Sequence, residues 1–391
     1  MNRGGGGPRV HVLAWGLLLV LPDRAVRAQE PEKLPGWAWT ASLFAEETWD
    51  SNVSFSRQID VQGQPSSFIT RPLGTLAYER TGSHSQFALA VRGGGFVYHA
   101  QPGLNQFDGG ATVAGTFQTT PRLQLDLREA FTYAYTRSQP DLLAEGVLIP
   151  LTLARVNDAR FGLNYRLGPR VFMSTSVGHT LLQYVDSERA DETRLVARGG
   201  LSWQPRPKQV LTLAYTFQDA GVSQDRPEGL VHSARGLWSF PVGRVPVATL
   251  SAGADYSPSS TTGLAEWSPA GSARLAGRFR RSELGIEYSR FVGRSFGVAA
   301  RAENDLVLVD YRVEMGRRLR AATTASYRRT RPLGEARELS AYSFSSSLER
   351  TLGRRVRARI GYLLQAESGG ERGRIRSHQA QVALGDVWTW R

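Results

Sequence analysis

Apolar and polar residues alternate along most of this chain, and this period of two constrains its fold more than any other feature. Leu123, Leu125 and Leu127 share one face of a segment whose other face carries Gln124 and Arg128. The segment at 356–364 repeats the pattern. Alternation of this kind predicts β-strands with one apolar and one polar face. Many of the runs are long enough for the ~9–11 residues that a strand needs to cross a bilayer.

Short glycine or proline turns separate the alternating runs. Four of these turns are near-copies, namely Leu167-Gly-Pro-Arg170, Val242-Gly-Arg244, Met315-Gly-Arg-Arg318 and Leu352-Gly-Arg-Arg355. Most turns recur roughly every 37 residues, the length of two membrane-crossing strands and a longer loop. The spacing therefore predicts a repeat of hairpins that runs the length of the chain.

The complete set of turns predicts the strand number. The turns fall near Gly82, Thr120, Gly168, Pro207, Gly243, Arg280, Gly316 and Gly353. Pairing the strands across these turns and adding one at each end gives about 18. We therefore predict an all-β fold, a single transmembrane antiparallel up-and-down β-barrel. Its short turns would be periplasmic and its longer loops external.

The N-terminus has the three parts of an export signal. Arg3 and Arg9 precede an apolar run at 10–21, and Val26 and Ala28 provide small residues for cleavage before Gln29. The apolar run is shorter than the ~20 residues of a membrane-spanning helix. We predict that residues 1–28 are a cleaved signal peptide, that 29–36 form a short periplasmic N-terminal segment, and that 37–391 form the transmembrane barrel.

Charge and cysteine content exclude several classes of protein. The formal net charge is +13, but the arginines are spread through the alternating segments and do not form a basic patch, so nucleic-acid binding is not expected. Cysteine is absent, which excludes disulfides, thiolate metal sites and a lipid anchor on cysteine. The histidines lack the spacing of a metal site. We predict no cofactor, no metal and no enzymatic activity.

A soluble β-helix, propeller or stack of sandwich domains would also show alternation. Soluble strands are shorter, about 5–6 residues, and their buried faces carry few arginines. Aromatic residues lie near the ends of the predicted strands, as membrane-interface girdles require. They include Trp37, Trp39, Trp203, Trp238, Trp388 and Trp390. These features favour the membrane barrel.

The last strand resembles the terminal-strand signal of Gram-negative outer-membrane proteins. The segment Gly385-Asp-Val-Trp-Thr-Trp390 has the glycine, the hydrophobic residue and the aromatic residue of that signal. It departs from the pattern at Val382, where a polar residue is usual, and at Arg391, which follows the aromatic residue. The resemblance implies that the protein lies in the outer membrane of a Gram-negative cell, with outer-membrane lipids and the barrel-assembly machinery as partners. Gly385, Trp388 and Trp390 would carry the assembly signal.

The start of the barrel, at 40–53, looks like the first strand and loop of a group of β-barrel porins. The architecture is also similar to the barrel partners of exopolysaccharide export. That resemblance implies translocation of an exopolysaccharide or another anionic polymer, with a periplasmic polysaccharide-export protein as partner. A general diffusion porin for small anionic solutes and a structural or adhesive barrel with a blocked lumen remain alternatives.

Arginines on the predicted inward faces are the candidate functional residues. They could bind carboxylates or phosphates and line an anion path, or they could pair with inward acids and simply solvate a polar lumen. The candidates are Arg92, Arg128, Arg160, Arg194, Arg198, Arg274, Arg278, Arg320, Arg357 and Arg359.

Two further features stand apart from the repeat. The connection at 138–152 is unusually apolar for an external loop, which leads to the hypothesis that it folds inward and narrows the pore. Glu129 falls on the lipid face of its predicted strand, where charge is costly. Either Glu129 lies near the outer interface or a bulge shifts the register at this point.

Overall fold

The computed structural model contains one closed antiparallel sheet of 18 strands. It describes residues 36–53, 66–136, 152–185, 191–222, 230–258, 265–293, 302–316, 318–332, 338–353, 355–370 and 373–390. Each strand pairs with its neighbours in the sequence, and the first strand also pairs with the last. Closure leaves no sheet edge with unpaired backbone groups, as a sheet in lipid requires.

The strand bounds follow the predicted alternation closely. They are β1 Gly36–Asp50, β2 Ser67–Thr81, β3 Ser85–Tyr98, β4 Gln106–Thr120, β5 Leu123–Tyr135, β6 Leu153–Arg166, β7 Val171–Tyr184, β8 Glu192–Arg206, β9 Gln209–Val222, β10 Val231–Pro241, β11 Val247–Pro258, β12 Ala265–Arg278, β13 Ser282–Gly293, β14 Ala302–Glu314, β15 Leu319–Pro332, β16 Leu339–Leu352, β17 Val356–Gly370 and β18 Gly373–Trp390. The predicted fold class and strand number are confirmed.

Two predictions concern parts of the chain outside the described ranges. The signal peptide at 1–28 and nearly all of the segment at 29–36 precede β1, which begins at Gly36. The apolar connection at 138–152 lies outside the described residues except for its last position. Both stay predictions.

Tight turns close one end of the barrel, called here the short-turn end. Gly243, Gly316 and Gly353 have φ values of 73°, 85° and 76°. Glycine adopts this left-handed conformation without steric cost, which explains its place in the repeated turn motif. Most of the longer connections lie at the opposite end, called the long-connection end.

The outer surface of the barrel is an apolar belt. Large apolar side chains on the outward face are exposed, as shown by Leu43 at 60%, Leu213 at 68% and Ile360 at 61%. Tryptophans border the belt at the short-turn end, where Trp39 is the cross-strand partner of Trp390. No helix among the described residues is long and apolar enough to span a membrane.

The register of β5 settles the position of Glu129. β5 pairs with β6 residue by residue from Leu123 to Tyr135, without a bulge. Glu129 therefore lies on the outer surface at the middle of its strand, so both explanations, a bulge and a position near the outer interface, are wrong. Its Oε1 accepts a 3.3 Å hydrogen bond from the side-chain amide of Asn157.

Candidate functional site

Side chains alternate between the outer and inner faces of each strand, so the exposed lipid-facing residues show which face the others are on. Each candidate arginine lies on the inner face of its strand. Val91 and Val97 are exposed on the outer face of β3, for example, so Arg92 faces the lumen. The same parity holds for Arg128 on β5, Arg160 on β6, Arg194 and Arg198 on β8, Arg274 and Arg278 on β12, Arg320 on β15, and Arg357 and Arg359 on β17. These positions suit a path through the lumen, while the role of each residue stays a prediction.

Inward side chains are buried near the long-connection end. Fully buried side chains at Leu182, Asn304, Thr330 and Asp255 face inward near that end of their strands. At the short-turn end the inward charges remain open to solvent, since the side chain of Arg278 is 85% exposed. The inner face of the barrel is therefore more accessible to solvent at the short-turn end than near the long-connection end.

A group of inward arginines lies on one side of the lumen, on β3 to β10. Arg128 and Arg160 are direct cross-strand partners. Arg198 lies within electrostatic range of Arg160, Arg194 and Arg235. We call this group the arginine wall; its members are Arg92, Arg128, Arg160, Arg194, Arg198 and Arg235.

Arg160 and Arg235 of the arginine wall form ion pairs. Asp158 Oδ1 lies 2.9 Å from Arg160 Nε on the same strand. Asp255 Oδ1, on the neighbouring strand β11, lies 3.2 Å from Arg235 Nη2. Acids therefore neutralise part of the wall.

One member of the wall, Arg198, has other arginines as its electrostatic neighbours. Within the described ranges, no hydrogen bond or ion pair engages Arg198. The inward acid Asp126 accepts hydrogen bonds from neutral donors on Thr116 and Asn164, each at 2.9 Å. Six arginines against the inward acids Asp108, Asp126, Asp158, Glu192 and Asp255 leave a small positive excess, so this side of the lumen should attract anions.

The opposite side of the lumen carries alternating charges. One row of cross-strand partners crosses β14 to β18, β1 and β2. An ion pair in this row joins Arg320 Nε to Glu314 Oε1 at 3.6 Å. We call this row the charge ladder; its positions are Glu314, Arg320, Glu349, Arg359, Ala383, Glu46 and Arg71. Because neighbouring charges have opposite sign, this side attracts neither ion strongly.

The structure adds inward charges that the sequence candidates omit. Arg71 faces the lumen from β2, and its Nη2 lies 2.8 Å from Asp108 Oδ2. Arg71 and Glu79 lie an even number of residues apart on β2, so alternation puts them on the same face of the strand. This pattern could have identified Arg71 from the sequence. Further inward acids are Asp50, Asp108, Glu192, Glu266 and Glu367. The positive field is therefore a property of one wall and does not extend around the barrel.

The residues of the assembly signal lie on both faces of β18. Trp388 and Trp390 face outward beside the start of β1, and Trp390 is 51% exposed in the short-turn girdle. Gly385 faces inward, under the ring of Phe44. The positions match a strand that must close the barrel against β1, while recognition by the assembly machinery stays a prediction. Among the described residues, no group of three or more His, Asp or Glu side chains could hold a metal ion.

Comparison with known proteins gives a likeness of fold. No protein-family model and no curated protein matches the sequence. OpdQ of Pseudomonas aeruginosa aligns with 91% of this chain and 98% of its own, at 10% identity and a TM-score of 0.50. OccK2 (OpdF) of the same organism aligns with 92% of this chain and 98% of its own, at 13% identity and a TM-score of 0.50. At such identities the likeness concerns the fold alone.

The closed sheet of 18 strands and its exposed apolar belt decide the location. The chain is an integral β-barrel of the outer membrane. Its fold is porin-like, while the periplasmic position of the short-turn end stays a prediction. The comparisons give no support to the resemblance to exopolysaccharide-export barrels.

Proposed function

We propose that this barrel is a porin-like channel for small anionic solutes. The observation that carries the proposal is the arginine wall, where Arg160, Arg194, Arg198 and Arg235 lie close together on one side of the lumen. Arginine binds carboxylates and phosphates through paired N–H donors, and charges that line a pore bias which ions enter. This is the alternative to polymer export that the sequence left open.

The shape of the lumen supports the same proposal. A barrel of this strand number is wide enough to hold an aqueous channel. Inward side chains near the long-connection end are buried, so the field of the charges beside them is less screened by water there. The arginine wall crosses several neighbouring strands, so this field covers one side of the lumen.

No observation on the described residues specifically favours translocation of a polymer. A periplasmic polysaccharide-export protein would be a partner only in that case. The proposal instead includes outer-membrane lipids around the apolar belt and the barrel-assembly machinery at β18 as partners. It includes no nucleic acid and no catalytic step.

The experiment is a reversal-potential measurement on purified full-length protein in planar bilayers under a KCl gradient. We expect a potential whose sign shows that chloride is more permeant than potassium. A preference for potassium would contradict the proposal. A barrel that conducts no ions at all would instead support the structural or adhesive alternative.

A further inference from the structure

A cavity of about 260 Å³ indents the lumen wall where β16 to β18 meet β1 to β3. The floor of this cavity consists of small inward residues, which leave space in the lumen wall. They are Ser345, Ser347 and Gly361. The Oε1 atom of Gln381 lies 3.0 Å from the point that a Cβ of Gly361 would occupy. The side-chain amide of Gln381 therefore lies over the glycine and forms part of the floor.

Neutral hydrogen-bonding groups form most of the polar lining. Ser347, Gly361, Gln381 and Thr48 follow one another in a single row of cross-strand partners. Ser345 and Gln379 lie in the adjoining row. Hydroxyl and amide groups both donate and accept hydrogen bonds, so this floor can satisfy a ligand that does the same at several points.

Two charged residues border the floor on the side of the charge ladder. Glu46 and Arg359 are each cross-strand partners of Ala383, which places their strands roughly 9–10 Å apart. The other charged residues of the lining have partners within the protein. Arg71 pairs with Asp108 at 2.8 Å, and Asp50 accepts hydrogen bonds from Ser377 and Gln379, each at 3.1 Å.

Aromatic side chains form the remaining edge. Phe96, Tyr98 and Tyr135 pack together with ring centroids 6.2–6.3 Å apart. The guanidinium of Arg71 lies 4.7 Å from the centroid of Phe96, and the hydroxyl of Tyr135 donates a hydrogen bond of 2.9 Å to the Leu104 carbonyl. These contacts hold the edge in place, so the cavity is largely formed before any ligand enters.

We propose that this cavity binds a single sugar ring. A sugar carries donors and acceptors around its rim and apolar C–H faces, which suit the amide and hydroxyl floor and the aromatic edge. An aromatic carboxylate would leave the floor groups without partners, which costs free energy in a confined site. The volume is below the ~300–1,000 Å³ of pockets for drug-sized ligands and fits one ring. The inference deepens the proposed function and rests on it, because a sugar reaches this cavity through the lumen.

The test uses single-channel recordings of the full chain in planar bilayers with D-glucose, D-glucuronate or benzoate on the periplasmic side. We expect both sugars to produce resolved interruptions of the current, with a frequency that rises with concentration. The variant Gln381→Leu should shorten the interruptions about tenfold while ion conductance stays within the range of the unmodified channel. Gln86→Leu, on the inner face of β3 at the short-turn end, is the matched control and should leave the interruptions unchanged.

Three results would overturn the inference. They are the absence of interruptions with either sugar, equal interruptions with benzoate, and an equal effect of Gln381→Leu and Gln86→Leu. Interruptions that are longer with glucuronate and shortened by Arg359→Gln would support it and identify the charged pole of the site. Failure of the anion channel is measured separately, since a reversal potential favouring potassium leaves a sugar effect of Gln381→Leu intact.

Discussion

The side-chain amide of Asn157 donates a 3.3 Å hydrogen bond to Glu129 Oε1 on the outer surface of the barrel. Both residues lie among apolar neighbours, with Phe131 43% exposed on one side and Leu127 49% exposed on the other. A carboxylate in this position faces lipid, which solvates charge poorly. The hydrogen bond to Asn157 satisfies one lone pair and reduces this cost without removing it.

Replacing Glu129 by glutamine should therefore stabilise the barrel. The variant keeps the hydrogen-bonding reach toward Asn157 and removes the charge, with an expected gain on the order of 1 kcal/mol. Urea unfolding in phospholipid vesicles would measure it. Glu47→Gln is the control and should gain less, because Glu47 faces outward near the long-connection end and accepts a hydrogen bond of 2.5 Å from Thr70. A loss of stability in Glu129→Gln would mean that a polar partner covers the carboxylate.

A second prediction concerns barrel closure between β1 and β18. A Cβ at Gly385 would overlap the ring of Phe44, so Gly385→Ala should displace the ring and destabilise the barrel by about 1–3 kcal/mol. The fraction of heat-modifiable, membrane-inserted protein should fall. Phe44→Leu in the same chain should restore part of that fraction, because the smaller side chain leaves room for the new methyl group. Absence of rescue would show that the glycine acts through some other contact.

The buried carboxylate of Asp255 should be important for stability. Its side chain is fully buried and accepts hydrogen bonds from Ser233 at 2.5 Å, from Arg235 at 3.2 Å and from the Val292 amide at 2.6 Å. Asp255→Ala leaves these donors without an acceptor, with an expected cost of about 3–5 kcal/mol in unfolding experiments. Glu283→Ala removes one partner of an exposed ion pair and should cost less than about 1 kcal/mol. Similar costs for both variants would contradict the importance of burial.

The fold and the facing of the arginines could be predicted because both depend on local patterns. A period of two between fixed turns determines which face of the sheet each side chain is on. This pattern alone places Arg92 and Arg359 on the inner face. The inward acids Asp50, Glu266 and Glu367 are harder to identify from the sequence because they lie at or near the ends of their strands. Strand ends depend on pairing and loop packing, which local alternation does not record.

The arrangement of charge around the lumen could not be predicted from the sequence. Whether Arg160 and Arg198 lie near each other depends on the register between strands, and alternation within a strand does not contain that register. The sugar cavity has the same origin, because Ser347, Gly361 and Gln381 come from three strands and share one row only through their pairing. Each of these residues looks ordinary on its own strand.

The two sides of the lumen should contribute unequally to ion selectivity. From the sequence alone, the inward arginines at 357 and 359 are expected to line an anion path. In the structure, Arg357 Nη1 lies 4.0 Å from Glu349 Oε1, and Arg359 belongs to the charge ladder, where opposite charges alternate. Arg160 and Arg198 belong to the arginine wall, and Arg198 has other arginines as its electrostatic neighbours.

We therefore expect the double variant Arg160→Glu, Arg198→Glu to shift the reversal potential toward potassium more than Arg357→Glu, Arg359→Glu does. Each pair changes the formal charge by the same amount, so the comparison isolates position from net charge. Heat-modifiable migration would verify that both variants fold, and a KCl gradient across planar bilayers would give the two shifts. Equal shifts would mean that ions sample the whole cross-section and that the arginine wall has no special role. A larger shift from Arg357 and Arg359 would place the anion path along the charge ladder instead.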